Sequence, residues 1–325
     1  MTDRVIRINI LVAVALCIVS LCSLLVGSVR IGLYDLWRGV LFLFTGEGDE
    51  TTAIVLFQIR LPRLVLASVC GASLGVAGAG FQAVFRNALA EPFIIGSSSG
   101  AALGAGIAML IAFPATVAAF VGSLSAVLLA WSIAGRRQPA TLLLAGTSIS
   151  SFFSSLLSIL LIIKDGSLQR VYYWLLGSLE SASWQTTLPL LPIMTVGCTV
   201  IFLCSRALDI IAQDEETALS LGLDVRNIRL AVILGASLAT AATVAGAGIM
   251  GFVGLAAPHT ARLLIGPAHR RLLPLAALSG SFLVIASDIV SRTILPPLEI
   301  PIGIITSMGG VPFFLYLLVR QKKTE

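Results

Sequence analysis

The segment LPRLVLASVCGASLGVAGAGFQAV at 61–84 decides the fold class. It runs 24 residues with Arg63 as its one charged side chain. A helix crosses the hydrocarbon of a bilayer with about 20 mainly apolar residues, whereas strands of globular proteins stop at about ten. Lipid offers no hydrogen bonds, so such a run must satisfy its own backbone, as a helix does. The stretch therefore reads as a membrane-spanning helix.

Working outward from it, nine further runs have the same character: 8–29, 93–113, 115–135, 141–163, 187–206, 228–249, 251–266, 272–294 and 300–319. The expected fold is all-α, a polytopic membrane protein with ten transmembrane helices forming one domain over 1–325. Composition agrees, with 57% hydrophobic and 11% charged residues and a mean hydropathy of +1.01, against roughly a quarter charged in soluble domains. The eighth run is short and contains Pro258, which predicts an uneven helix there. The first follows Arg4 and Arg7 but is long and lacks a small-residue cleavage site, so it reads as a retained helix rather than a removed signal.

The net charge is +5. In a soluble protein that would raise nucleic acid as a partner; here it bears on orientation. With the N-terminus inside and the runs alternating, the outer side holds Arg30, Arg38, Arg60, Arg63, Lys164, Arg170 and Arg292. The remaining 14 of the 21 Lys+Arg fall inside. The positive-inside rule then makes both termini cytoplasmic. Two outer segments are long: 30–60, amphipathic around Leu33–Phe44, and 164–186, with Tyr172, Tyr173, Trp174 and Trp184 as an interfacial aromatic belt.

The inner connector 207–227 is longer than a simple turn needs. Asp214, Glu215 and Glu216 suit a helix N-terminus, and Gly222 suits the left-handed position that ends a helix. This segment reads as a contact surface. Glycines at 71 and 75, and at 96, 100 and 104, have the spacing that lets helices approach closely in lipid.

Several chemistries are missing. The three lysines, Lys164, Lys322 and Lys323, never follow a glycine, so the chain has no Walker A loop for ATP. The cysteines Cys17, Cys22, Cys70, Cys198 and Cys204 lie in apolar runs as packing residues, and the two histidines, His259 and His269, have no thiol partners, so no metal site is expected. No catalytic constellation stands out. Asp288 and Arg292, four apart within a span, read equally as a functional pair or as a structural ion pair.

Eight ordered blocks resemble the FecCD-type permease family, the membrane subunits of type II ABC importers for iron-siderophores, haem or vitamin B12. They are RLPR at 60–63, GASLGVAGAGFQAVFRNALAEPFIIGSSSGAALGA at 71–105, LLLAG at 142–146, YWLLGSL at 173–179, EETALSLGL at 215–223, GFVGLAAPHTARLLIG at 251–266, HRRLLPL at 269–275 and PIGIITSMGGVPFFLYLL at 301–318. Where the family usually reads NPLADP, this chain has NALAEP at 87–92.

The resemblance implies a permease in the cell membrane, working by alternating access as a pair with a second copy of itself or a close paralogue. Two cytoplasmic ABC ATPases would use ATP and Mg, and an extracytoplasmic binding protein would deliver a metal chelate, a ferric siderophore being favoured over vitamin B12 or haem. Neither nucleic acid nor a bound cofactor is implied. By the same resemblance Arg60, Arg63 and Arg292 would face acidic residues of the binding protein, the alternative being that they reach for headgroups or that Arg292 is used by Asp288. Glu215, Glu216, Thr217, Ala218, Leu219, Leu221 and Gly222 would couple to the ATPase. Pro139, Ala140 and Thr141, with Gln138 in a short loop, would lie at the inner gate. The rivals are an ion-coupled secondary carrier, disfavoured because Asp288 is the lone carboxylate of its kind, and a membrane assembly protein without transport.

Overall fold

The computed structural model describes residues 2–27, 31–46, 48–135, 139–163 and 168–321. Arg30, Arg136, Arg137, Gln138, Lys164, Lys322 and Lys323, which enter the charge count or the inner loop above, lie outside the described residues. Every regular element is helical: α1 Thr2–Leu25, α2 Leu33–Thr45, α3 Glu50–Ile54, α4 Leu61–Phe85, α5 Ser97–Leu110, α6 Ala115–Ala134, α7 Pro139–Ile163, α8 Leu168–Leu175, α9 Trp184–Leu203, α10 Ser205–Gln213, α11 Glu215–Ser220, α12 Val225–Ala247, α13 Val253–Ile265, α14 His269–Thr293 and α15 Ile302–Gln321.

Among the described residues seven helices are long and apolar enough to cross a membrane: α1, α6, α7, α9, α12, α14 and the helix that runs through α4. The third and eighth expected spans are shorter than predicted. Residues 93–96 belong to a turn instead, because Pro92 cannot donate a helical hydrogen bond and Gly96 adopts φ +90°, a left-handed start for α5. The same happens before α13, where Gly248 (φ 72°) and Phe252 (φ 65°) turn the chain. Gly96 therefore sets a helix entry and is not the first member of a packing stripe.

The other glycines do pack helices. Gly71 and Gly280 stand face to face where α4 crosses α14, so that a Cβ on either would strike the other's carbonyl. Gly100 and Gly122 do the same between α5 and α6. Such contacts gain dispersion energy at close range, which is how helices associate where the surrounding lipid is as apolar as leucine. In an apolar stretch of 18 residues, 72% of the residues are buried in the helix through α4 and in α12, against 6% in α1. These two helices form the middle of the bundle, and α1 borders it along α14.

The long segment 31–60 is largely helical. On α2, Leu33, Tyr34 and Trp37 face outward, as the amphipathic pattern predicts. A π turn over Val55–Arg60 then joins α3 to α4 without a break, which places Arg60 inside a continuous helix and not at its end. Trp184 Nε1 donates to the Phe57 carbonyl at 2.8 Å, fastening the start of α9 to that turn.

Candidate functional site

Arg63 and Arg86 sit near opposite ends of α4, about 35 Å apart at 1.5 Å per residue. Charged side chains gather around each.

At the Arg63 end, four segments converge. Arg63 directs Nε to Asp288 Oδ1 at 2.8 Å and forks onto Glu299, Nη1 to Oε1 at 3.1 Å and Nη2 to Oε2 at 2.7 Å. Arg292 Nη2 lies 2.9 Å from Asp288 Oδ2, an ion pair without hydrogen-bond alignment, and donates to Ser23 Oγ at 2.9 Å. Arg60 Nη1 donates to the Leu24 carbonyl. The residues are 6% (Arg60), 8% (Arg63), 6% (Arg292) and 1% (Asp288) exposed, while the Glu299 side chain retains 26%. The structure thus brings together the three arginines picked out by sequence, but turned inward. They tie α1, α4, α14 and the loop before α15 into one knot. Asp288 and Arg292 do pair along one helix face, and the larger part of the network, Arg63 with Glu299, joins residues 236 apart in sequence. No local spacing reveals it.

At the Arg86 end lies a platform. Asp214 accepts from Thr217 N and Thr217 Oγ1, both at 2.7 Å, and so caps α11. Gly222, at φ 76°, closes it as a left-handed stop. Ala218 is fully buried against Ile211 and Val225, whereas Leu219 and Leu221 stand 58% and 65% exposed on the other face. Two apolar side chains thus stand exposed on a capped turn. Glu216 lies on the exposed side, while Glu215 turns back and receives Arg229 as a fork at 3.0 and 2.8 Å. The platform is held to the bundle at a second point, where Asp209 Oδ1 accepts the His269 backbone N–H at 2.7 Å.

The Arg229 fork holds the Glu215 carboxyl below the usual carboxylate range. A depressed folded-state value means that this contact is fully present above the ordinary value of 4.5 and is lost as pH falls through the folded value. Backbone amides of α11 should accordingly exchange hydrogen faster than the intrinsic rate predicts as pH falls from 4.5 through the depressed folded value. Protection independent of pH across that window would assign α11's order to the buried Ala218 contact alone.

Pro139, Ala140 and Thr141 form the first turn of α7 and not the expected loop, because proline at the first helical position has no N–H to leave unsatisfied. Ala140 is exposed and Thr141 half-buried. Above them runs a face that sequence reading missed. Thr147, Ser148, Ser151, Ser155 and Ser158 are exposed, and the four serines among them each bond the carbonyl one turn back at 2.9–3.1 Å. At 100° per residue they occupy an arc of about 100°. The signal was present in SISSFFSSLLS at 148–158, a hydroxyl stripe at helical period. Back-bonding satisfies the donors, which makes the stripe tolerable in a membrane while leaving oxygen lone pairs on its surface. Among the described residues no three of His, Cys, Asp and Glu come close enough to hold a metal ion.

The model of the FecCD transport family matches residues 15–320. The chain is 41% identical over 278 residues to the cobalamin import system permease protein BtuC of Halobacterium salinarum, covering 83% of this chain and 74% of that one. It is 37% identical over 322 residues to the hemin transport system permease protein HmuU of Yersinia pestis, covering 95% and 94%. Among solved structures it is similar to a metal-chelate type ABC transporter in an inward-facing conformation, with a TM-score of 0.87, 30% identity, and coverage of 97% of this chain and 99% of that one.

Proposed function

The chain belongs to the FecCD transport family, and on that premise we propose that it brings a bulky metal chelate into the cytoplasm as half of a paired permease. It is a multi-pass cell-membrane protein and the permease subunit of an ABC importer, not itself an enzyme. Ten transmembrane helices, with both termini cytoplasmic, make up each copy. Two copies form the path between them, with the hydroxyl face of α7 turned toward it. Two ABC ATPases with ATP and Mg dock at the α11 platform. This chain itself holds no cofactor.

The observation that carries this reading is the platform: a capped helix showing Leu219 and Leu221 where a lone carrier has no reason to display them. The ion-coupled alternative also loses its proton site, because Asp288 is taken up by two arginines. Two relatives at 41% and 37% identity carry different cargoes in their names, cobalamin and hemin, so the shared residues encode the machine more than its cargo. A ferric siderophore is the favoured cargo, with vitamin B12 or haem as the alternative. A binding protein docks at the Arg60–Arg63–Arg292 end. There its carboxylate competes with Glu299, the more exposed of the two acids, and the association weakens with salt.

Purified alone in lipid, the chain should hydrolyse no ATP. With its cognate ABC ATPase and loaded binding protein it should show stimulated hydrolysis and uptake of the chelate into vesicles. Sustained hydrolysis by the chain freed of every other protein, or uptake driven by an ion gradient without the ATPase, would overturn the reading.

A further inference from the structure

The last turn of α4 and the first turn of α12 both reach toward α11. Arg229 forks onto Glu215 from α12. Arg86, the residue that ends α4, lies 3.7 Å from the same Glu215 Oε2 and donates Nη2 to the Ile211 carbonyl at 2.7 Å. Arg86 holds a left-handed backbone, φ 47°, which L-residues seldom adopt, and its side chain meets α10 and α11.

A cleft of about 440 Å³ opens beside the bridge, lined by Glu215, Leu219 and Arg229 together with Val84 of α4, Trp131 of α6 and Leu142 of α7. The buried Ala218 contact and the arginine bridge both hold α11 against the bundle. With side chains near 40% exposed at Glu215 and Arg86, such a bridge contributes little to stability. Its forked geometry instead fixes direction. The two helices that it grips, α4 and α12, are the most buried spans of the bundle, and they pack on each other.

We infer that Glu215 is a positioning residue of energy transmission: through Arg86 and Arg229 it converts a displacement of α11 into movement of α4 and α12. The cleft is the space into which α11 swings, and Leu142 on its far wall carries the same motion to the first turn of α7. The inference rests on the importer reading for its purpose, but the bridge itself is a property of this chain.

The test therefore has two arms. In the first, the full chain in lipid nanodiscs, without ATPase, is followed by hydrogen exchange. Glu215→Arg and Arg229→Glu should each speed exchange over 217–223 about tenfold, and the charge-swapped double variant should restore protection. In the second, the same variants are assembled with the cognate ATPase in vesicles, and chelate imported per ATP hydrolysed is measured. Each single variant should lower that ratio about tenfold, and the swap should recover it to within about threefold. Singles that exchange like wild type sink the bridge, whatever the transport data say. Exchange that changes while the coupling ratio does not leaves Glu215 as a structural staple, which overturns the inference. A wild-type complex without ATP-driven uptake defeats the importer reading, and the first arm still decides the bridge.

Discussion

Replacing Asp288 by alanine is expected to destabilise the protein by about 3–5 kcal/mol, the cost of breaking a buried ion pair by removing one partner. The side chain is 1% exposed and touches both Arg63 and Arg292. Its loss leaves two guanidinium groups facing each other with Glu299 as the remaining acid among these four groups. Ser23, bonded to Arg292, is released with it, so the end of α1 should loosen from α14. Chemical denaturation in mixed micelles would measure the loss, and Asp288→Asn, which keeps the shape and one acceptor, should fall between alanine and wild type. An alanine variant within about 1 kcal/mol of wild type would show that water reaches the knot and that burial there is less complete than the structure describes. The same geometry changes what charge reversal at Arg63 reports. Arg63→Glu would set three carboxylates together, and its first effect would be on folding. Arg60, whose hydrogen bond runs to the Leu24 backbone, is the better position for probing the binding-protein contact.

Changing Leu219 and Leu221 together to glutamate should have the opposite profile, leaving the bundle intact and removing transport. Both side chains stand more than half exposed, and neither belongs to a core cluster. Burying a leucine at an interface is worth about 1.5–3 kcal/mol. Losing two of them therefore weakens ATPase assembly by at least about 3 kcal/mol, more than a hundredfold. Pull-down of the ATPase by the permease, together with the unfolding midpoint of the permease alone, separates the two effects. Assembly at wild-type strength with chelate uptake intact would reduce α11 to a solvated connector.

The two variants differ in how far their sites could be read along the chain. Asp214 and Gly222 lie within nine residues, and each acts on a backbone group three positions away. A cap is a local interaction, so the order of these residues sufficed to predict a helix that starts at 215 and stops before 222, as it does. The glycine pairs at 71/75 and 100/104 announced close helix approach in the same local way. Spacing could not say which helices they meet, since a face is periodic in sequence and its partner is not.

The long apolar runs determined, by themselves, that this chain is an all-helical membrane protein, because in lipid each backbone polar group must be satisfied within its own segment. The platform was equally legible, since helix caps operate over three or four residues. Tertiary structure alone decided the rest. It gathered Arg60, Arg63 and Arg292 into a buried knot, because a guanidinium within the bundle needs acceptors: Asp288 and Glu299 meet Arg63 from more than 220 positions away, and the Leu24 carbonyl receives Arg60. It also set Glu215 against Arg86 and Arg229. Charge pairing acts through space, and the distance along a chain between two ions that meet is set by the fold that brings them together.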